Sequence, residues 1–172
     1  RLRADAESLT MPRLPLNARA EVWPVAGRFT ISRGSRTEVT TIIVEIGDGT
    51  VTGIAECVPY ARYGETVDGV LGQIRGASPA LERGASRREI GSLLAAGAAR
   101  NGIDCALIDL EAKRTSRAAH EVLGLASPAP VTTCFTISLG SPEEMAGAAR
   151  AAAGRPLLKL KLGGEGDEER LA

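Results

Sequence analysis

Aromatic side chains are scarce in this sequence: one Trp, two Tyr and two Phe among 172 residues. A core built almost without rings must be filled by aliphatic side chains. The 27 alanines imply helices that pack closely through small surfaces. Net charge is lacking as well. Lys+Arg and Asp+Glu are each 21, which removes the global electrostatic case for nucleic-acid or anionic-membrane binding. No apolar run approaches the roughly 18–20 residues of a membrane-spanning helix. The first residues, RLRADAESLTMPRLP, carry no apolar signal-peptide core. The three cysteines, Cys57, Cys105 and Cys134, are far apart. They exclude a complete disulfide framework and a local CxxC metal site, and they fit a reducing, cytoplasmic setting. The single histidine, His120, stands beside Glu121 on a short predicted helix, where a surface or capping role outweighs metal binding. Lysine is the most informative scarcity. Of the 21 cations only Lys113, Lys159 and Lys161 are lysines, so two of them at i and i+2 call for an explanation.

What is present is ordinary for a globular protein: 44% hydrophobic and 24% charged residues. Residues 1–15 lack periodicity, contain Pro12 and Pro15, and read as a loose extension, with Met11 a candidate start. Residues 16–25 alternate as a strand, and 27–36, with two Gly and three Arg, read as a loop. Val39–Ile46, the turn Gly47-Asp48-Gly49 and Val51–Cys57 make a hairpin. The prediction is a three-stranded antiparallel sheet. Helical stripes follow at Val67, Val70, Leu71 and Ile74, and at Ala99, Ile103, Ala106, Leu107 and Leu110. Ser86 with Glu89 predicts a capping box between them. Strands first and helices after is the α+β pattern. A linker at Ser127–Pro130 then leads to a different grammar: strand 131–139, a helix opened by Ser141-Pro142-Glu143-Glu144, and strand 157–162. This is one β-α-β unit with parallel strands, followed by an acidic helix start at Asp167. The expected organisation is an extension (1–15), an α+β domain (16–126) and the beginning of an α/β structure (127–172).

The chemistry concentrates in the last strand, LLKLKL. Period-2 alternation puts Lys159 and Lys161 on one face and Leu158, Leu160 and Leu162 on the other. In a barrel the leucines pack against helices and the lysines look inward, with Lys161 nearest the C-terminal strand end, where barrel enzymes build their sites. Two close ammonium groups disfavour each other's charge, so such a pair predicts a lowered lysine pKa and a base at neutral pH, which Arg cannot supply. The competing reading is an edge strand with solvated lysines. Thr132, Cys134, Thr136 and Ser138 share one face of the preceding strand. The GGEG run after LLKLKL matches no phosphate-binding pattern and reads as a short βα loop. Tyr60, Arg62 and Tyr63 form one loop cluster, and the absence of net charge weighs against nucleic-acid stacking there.

The segments FTISRGSRTE (29–38), GIAECVPYARYGET (53–66), ARNGIDCALIDLEAKR (99–114), TISLGSPEEM (136–145) and PLLKLKLGGEGD (156–167) resemble the dipeptide epimerases of the enolase superfamily, in the muconate-cycloisomerase-like subgroup. ECVPYARYGET together with KLKLGG carries most of the specificity. The chain departs from that family's usual pattern at Ile54, Ala55 and Ile108. The resemblance implies an N-terminal capping domain over 16–126, then the first β-α-β unit of an incomplete (β/α)7β TIM-like barrel. It implies a reaction in which a Lys base removes the proton α to a carboxylate, Mg²⁺ stabilises the enediolate, and a second acid/base on the opposite face returns the proton. Lys161 resembles the base, Lys159 its neighbour at the substrate carboxylate, and Thr136 the substrate-contacting Thr. Loops 27–36 and 58–66 resemble the two loops that close over the site. Arg33 could pair there with an acidic dipeptide side chain. The family's Mg²⁺ ligands and opposing Lys lie on later strands, so they are expected beyond Ala172 and no metal ligand is expected within the chain. The implied substrate is a dipeptide such as L-Ala-L-Glu, with a homo-oligomer left open and neither nucleic acid nor membrane as partner. Two alternatives stand beside this: a muconate-cycloisomerase-like or o-succinylbenzoate-synthase-like enzyme, and a non-catalytic fragment serving as a folded cap or interaction module.

Overall fold

The computed structural model describes residues 13–172. Most of the predicted extension lies outside the described residues. Of its last three residues, Leu14 is buried in the core and the Pro15 carbonyl accepts a hydrogen bond from the Gly47 amide.

The elements run β1 (Leu16–Ile31), β2 (Gly34–Gly47), β3 (Thr52–Cys57), α1 (Val67–Glu82), α2 (Arg87–Leu93), α3 (Ala98–Thr115), α4 (Ala119–Val122), β4 (Phe135–Ile137), α5 (Pro142–Ala151), β5 (Leu158–Leu160) and α6 (Asp167–Leu171). The first three strands form an antiparallel sheet in the order β1-β2-β3, with Val44 opposite Ala55 and Ile42 opposite Cys57. The turn between β2 and β3 is closed by the Asp48 carboxylate, which accepts from the amides of Thr50 and Val51. β4 and β5 pair in parallel as a separate two-stranded sheet.

The chain divides into two compact units. The first holds Thr40–Ser127 and the described residues before Val22; the second joins Val22–Val39, the outer part of the first hairpin, to Pro128–Ala172.

In the first unit, Ile42, Val44 and Ile46 sit on one face of β2 and are fully buried, as period-2 alternation requires. They meet Val70, Leu71 and Ile74 of α1, Ile90 of α2, and Ala99, Ile103, Ala106, Leu107 and Leu110 of α3. The alanine content is used where α3 crosses the sheet. A Cβ on Gly53 would collide with Ala106 O and Leu110 N, and one on Gly102 would press on Val44 and Cys57. Ser86 and Glu89 close the predicted capping box at α2, and a bidentate Arg87–Asp104 pair ties α2 to α3.

In the second unit, Ser141 caps α5 with Pro142 in its first turn, and Glu144 completes that capping box. Ile137, Met145 and Ala152 form a small core with Leu139 and Leu158 against it.

Three expectations need correction. Residues 27–36 are not a loop: β1 continues to Ile31 and β2 restarts at Gly34, leaving only a turn at Ser32 and Arg33. The segment is ordered by pairing, since Leu139 N donates to Thr30 O and the hydroxyls of Thr30 and Ser35 meet across the hairpin. The parallel strands are shorter than predicted, because each pairs with only one neighbour among the described residues and pairing defines their length. The leucine face is only partly covered: Leu158 packs, while Leu160 and Leu162 stay exposed.

Candidate functional site

β5 and β4 place the two chemically distinctive lysines. The register sets Thr136 opposite Lys159, flanked by Phe135–Leu158 and Ile137–Leu160. Directly opposed residues of a parallel pair project to the same face, so Thr136 and Lys159 share one face, and alternation adds Ser138 and Lys161 to it. The other face carries Ile137, buried beneath Met145 of α5. Lys161 lies one residue past β5, yet its amide still donates to Ile137 O at 3.0 Å, which extends the ladder to the strand end. Hydrophobic packing on one face therefore turns both lysines to the other.

The outer hairpin reaches the same strand end within this unit. Ser138 Oγ donates to Arg28 O at 3.2 Å, and Leu139 N donates to Thr30 O at 3.1 Å. Between these two anchors stands Phe29, whose ring lies under Lys161 Nζ at 5.9 Å from its centroid. Sequence reasoning gave Phe29 no role. Its rarity as an aromatic, at the head of FTISRGSRTE, was the signal that could have found it. Arg33 sits at the hairpin turn, exposed, with no ion-pair partner among the described residues. Ser138 is occupied by the Arg28 carbonyl, and Thr132 and Cys134 lie before β4 in unpaired chain.

The loop after β5 is braced rather than open. Asp167 accepts from the amides of Gly163 and Gly164 and pairs with Arg170. These amides and the guanidinium hold its carboxyl below the usual range. Arg170 also donates to Gly140 O and Glu165 O, joining the loops that follow β4 and β5. Among the described residues no three His, Cys, Asp or Glu side chains converge on a common point. With Asp167 committed to amides and arginine, the described donor set does not fit a Mg²⁺ site.

In the first unit, the loop before α1 folds as a single 3-10 turn, Ala61–Tyr63, closed by Gly64 at φ 77°. Glu65 accepts from Tyr60 N at 2.9 Å and from Ala98 N, the first residue of α3, at 2.6 Å. Those two amides lower its pKa, the Ala98 bond first. The loop presents Tyr60 and Tyr63 to solvent, their rings 6.3 Å apart in an edge-to-face arrangement. Burial beneath α3 pushes the Cys57 thiol up to about 11, so it is packing and not a nucleophile. No helix is long and apolar enough to cross a membrane among the described residues.

Residues 15–124 match the N-terminal domain of the mandelate racemase / muconate lactonizing enzyme family. The chain is 43% identical over 144 residues to the L-Ala-D/L-Glu epimerase of Escherichia coli (strain K12), covering 83% of this chain and 45% of that protein. Its structure superposes with a TM-score of 0.86, at 48% identity, on an Agrobacterium tumefaciens enolase family member with homology to dipeptide epimerases, holding bound sodium and L-Ala-L-Glu; 92% of this chain and 48% of that one are covered. A dipeptide epimerase from Enterococcus faecalis V583, complexed with Mg and L-Leu-L-Tyr, gives a TM-score of 0.79 at 26% identity, over 92% of this chain and 49% of that one. The chain thus spans about half the length of the relatives it matches.

Proposed function

Because the chain belongs to the mandelate racemase / muconate lactonizing enzyme family, with epimerases among its relatives, we propose that it is the capping domain and first barrel strands of a dipeptide epimerase that inverts the α-carbon of a dipeptide such as L-Ala-L-Glu. The observation that carries this reading is the placement of Lys159 and Lys161 on the β5 face that also bears Thr136, opposite the face packed on α5.

On this reading Lys161 Nζ takes the α-proton of the C-terminal residue, the C–H electron pair moves into the adjacent carboxylate, and an acid on the opposite face returns a proton to give the other configuration. The ammonium of Lys159 lies beside that carboxylate and favours the developing negative charge. The Thr136 hydroxyl, level with Lys159, orients the same group. Arg33 at the hairpin turn pairs with an acidic side chain of the dipeptide, in keeping with the L-Ala-L-Glu held by the A. tumefaciens relative. The metal of the whole enzyme is Mg²⁺, as in the E. faecalis relative, where it would supply charge stabilisation to the enediolate. The described residues here do not form its site.

The test is stereochemical. Full-length protein with Mg²⁺ is incubated with L-Ala-L-Glu or L-Ala-D-Glu, and the two are separated by chiral chromatography. Interconversion from either side is expected. Recovery of both dipeptides unchanged, from folded protein, contradicts the proposal.

A further inference from the structure

The first hairpin does more than border the lysine strand, because it places an aromatic face under one lysine. Phe29 is fixed by its neighbours on both sides: Arg28 O accepts from Ser138 Oγ, and Thr30 O accepts from Leu139 N. The Thr30–Ser35 hydroxyl contact ties the returning strand to the same point. With both flanking carbonyls anchored to the C-terminal end of β4, the ring has little freedom to move, and it lies under Lys161 Nζ at 5.9 Å. Phe29 is half-buried, as is Lys161, whereas Lys159 is exposed. The long lysine side chain has four rotatable bonds, and packing its end against a fixed ring face removes rotamers that a free side chain would sample.

We propose that Phe29 is a positioning residue for Lys161, through which the docked hairpin holds the lysine amine at the strand end where it meets substrate. The contact links two things that sequence separates by more than a hundred residues: the hairpin turn bearing Arg33, and the amine that takes the proton. When the hairpin is seated, the Phe29 ring is in place and Lys161 is aligned. The proposal rests on the reading of Lys161 as base, and it adds a requirement that this reading does not contain.

The experiment uses full-length protein and L-Ala-L-Glu in D₂O, with deuterium at the Glu α-carbon as the readout. Three variants are compared: Phe29→Leu, Phe29→Tyr and Lys161→Arg. Phe29→Leu is expected to lower kcat for exchange about tenfold while KM stays within about twofold, since the ring orients the base and does not bind substrate. Phe29→Tyr keeps the ring face and is expected to stay within about threefold of wild type in kcat. A second readout is independent of activity: the Lys161 side-chain methylene resonances lose their ring-current shift in Phe29→Leu and keep it in Phe29→Tyr. Wild-type kcat in Phe29→Leu, or a raised KM with unchanged kcat, overturns the positioning role. If Lys161→Arg exchanges like wild type, the base reading itself falls and takes this proposal with it. Loss of exchange in Lys161→Arg together with full activity in Phe29→Leu removes only the proposal.

Discussion

Gly53 shows how little room one residue can have. It stands on β3 directly beneath α3, and a methyl group there would overlap Ala106 O and Leu110 N, backbone atoms that cannot swing aside. Gly53→Ala is therefore expected to cost about 3 kcal/mol, read from denaturant unfolding, because the helix must lift off the sheet. A loss within about 0.5 kcal/mol would mean that α3 sits further out than described. Asp48 makes a different demand at the neighbouring turn. Amides of Val51 and Thr50 and the Arg114 guanidinium hold its carboxyl down to about 2, from an ordinary 3.8. A depressed carboxylate contributes stability that is complete above its unfolded pKa and is lost as pH falls through the folded one. The Tm advantage of wild type over Asp48→Asn is accordingly expected to be steady near neutrality and to shrink between about pH 4 and pH 2. A difference that stays constant across that window would detach Asp48 from the turn.

At the scale of elements, the exposed edge of the first sheet is dressed by α3. β3 is an edge strand, and its outward Ile54 amide donates to Asp109 Oδ2 while its Thr52 carbonyl accepts from Lys113 Nζ. Asp109 and Lys113 pair with each other at i, i+4. The helix thus satisfies groups that would otherwise invite another strand. Asp109→Ala is expected to speed amide exchange at Ile54 and to cost about 1–2 kcal/mol; unchanged protection at Ile54 would contradict it. Elements of this kind were legible in sequence where the signal is local. The β2–β3 hairpin, the stripes of α1 and α3, and the boxes Ser86/Glu89 and Ser141/Glu144 all depend on residues within a few positions of each other. The outer hairpin was not legible, because residues 27–36 are ordered by Ser138 and Leu139, more than a hundred residues away. The pairing of Lys159 with Thr136 could be read from alternation and a β-α-β pattern. The Phe29–Lys161 contact could not, since it needs the tertiary placement of a segment that reads as loop.

The whole molecule is two compact units with unequal cores. The first buries Ile42, Val44 and Ile46 of β2, Cys57 of β3 and apolar residues of three helices, whereas the second buries chiefly Ile137, Met145 and Ala152. Buried apolar area is the main stabiliser of a fold, so local opening should be easier in the second unit. Hydrogen exchange by mass spectrometry is expected to show slower exchange in 39–57 than in 131–162, and the reverse order would contradict that ranking. The claim on which the functional account turns is narrower: that Lys161 is the base. Full-length protein carrying Lys161→Arg keeps the positive charge but cannot offer a neutral amine. With L-Ala-L-Glu in D₂O, the account predicts a folded variant that no longer places deuterium at the Glu α-carbon from this face, while Lys159→Arg, which preserves charge beside the carboxylate, retains measurable exchange. Wild-type-like deuterium incorporation by Lys161→Arg would contradict the account.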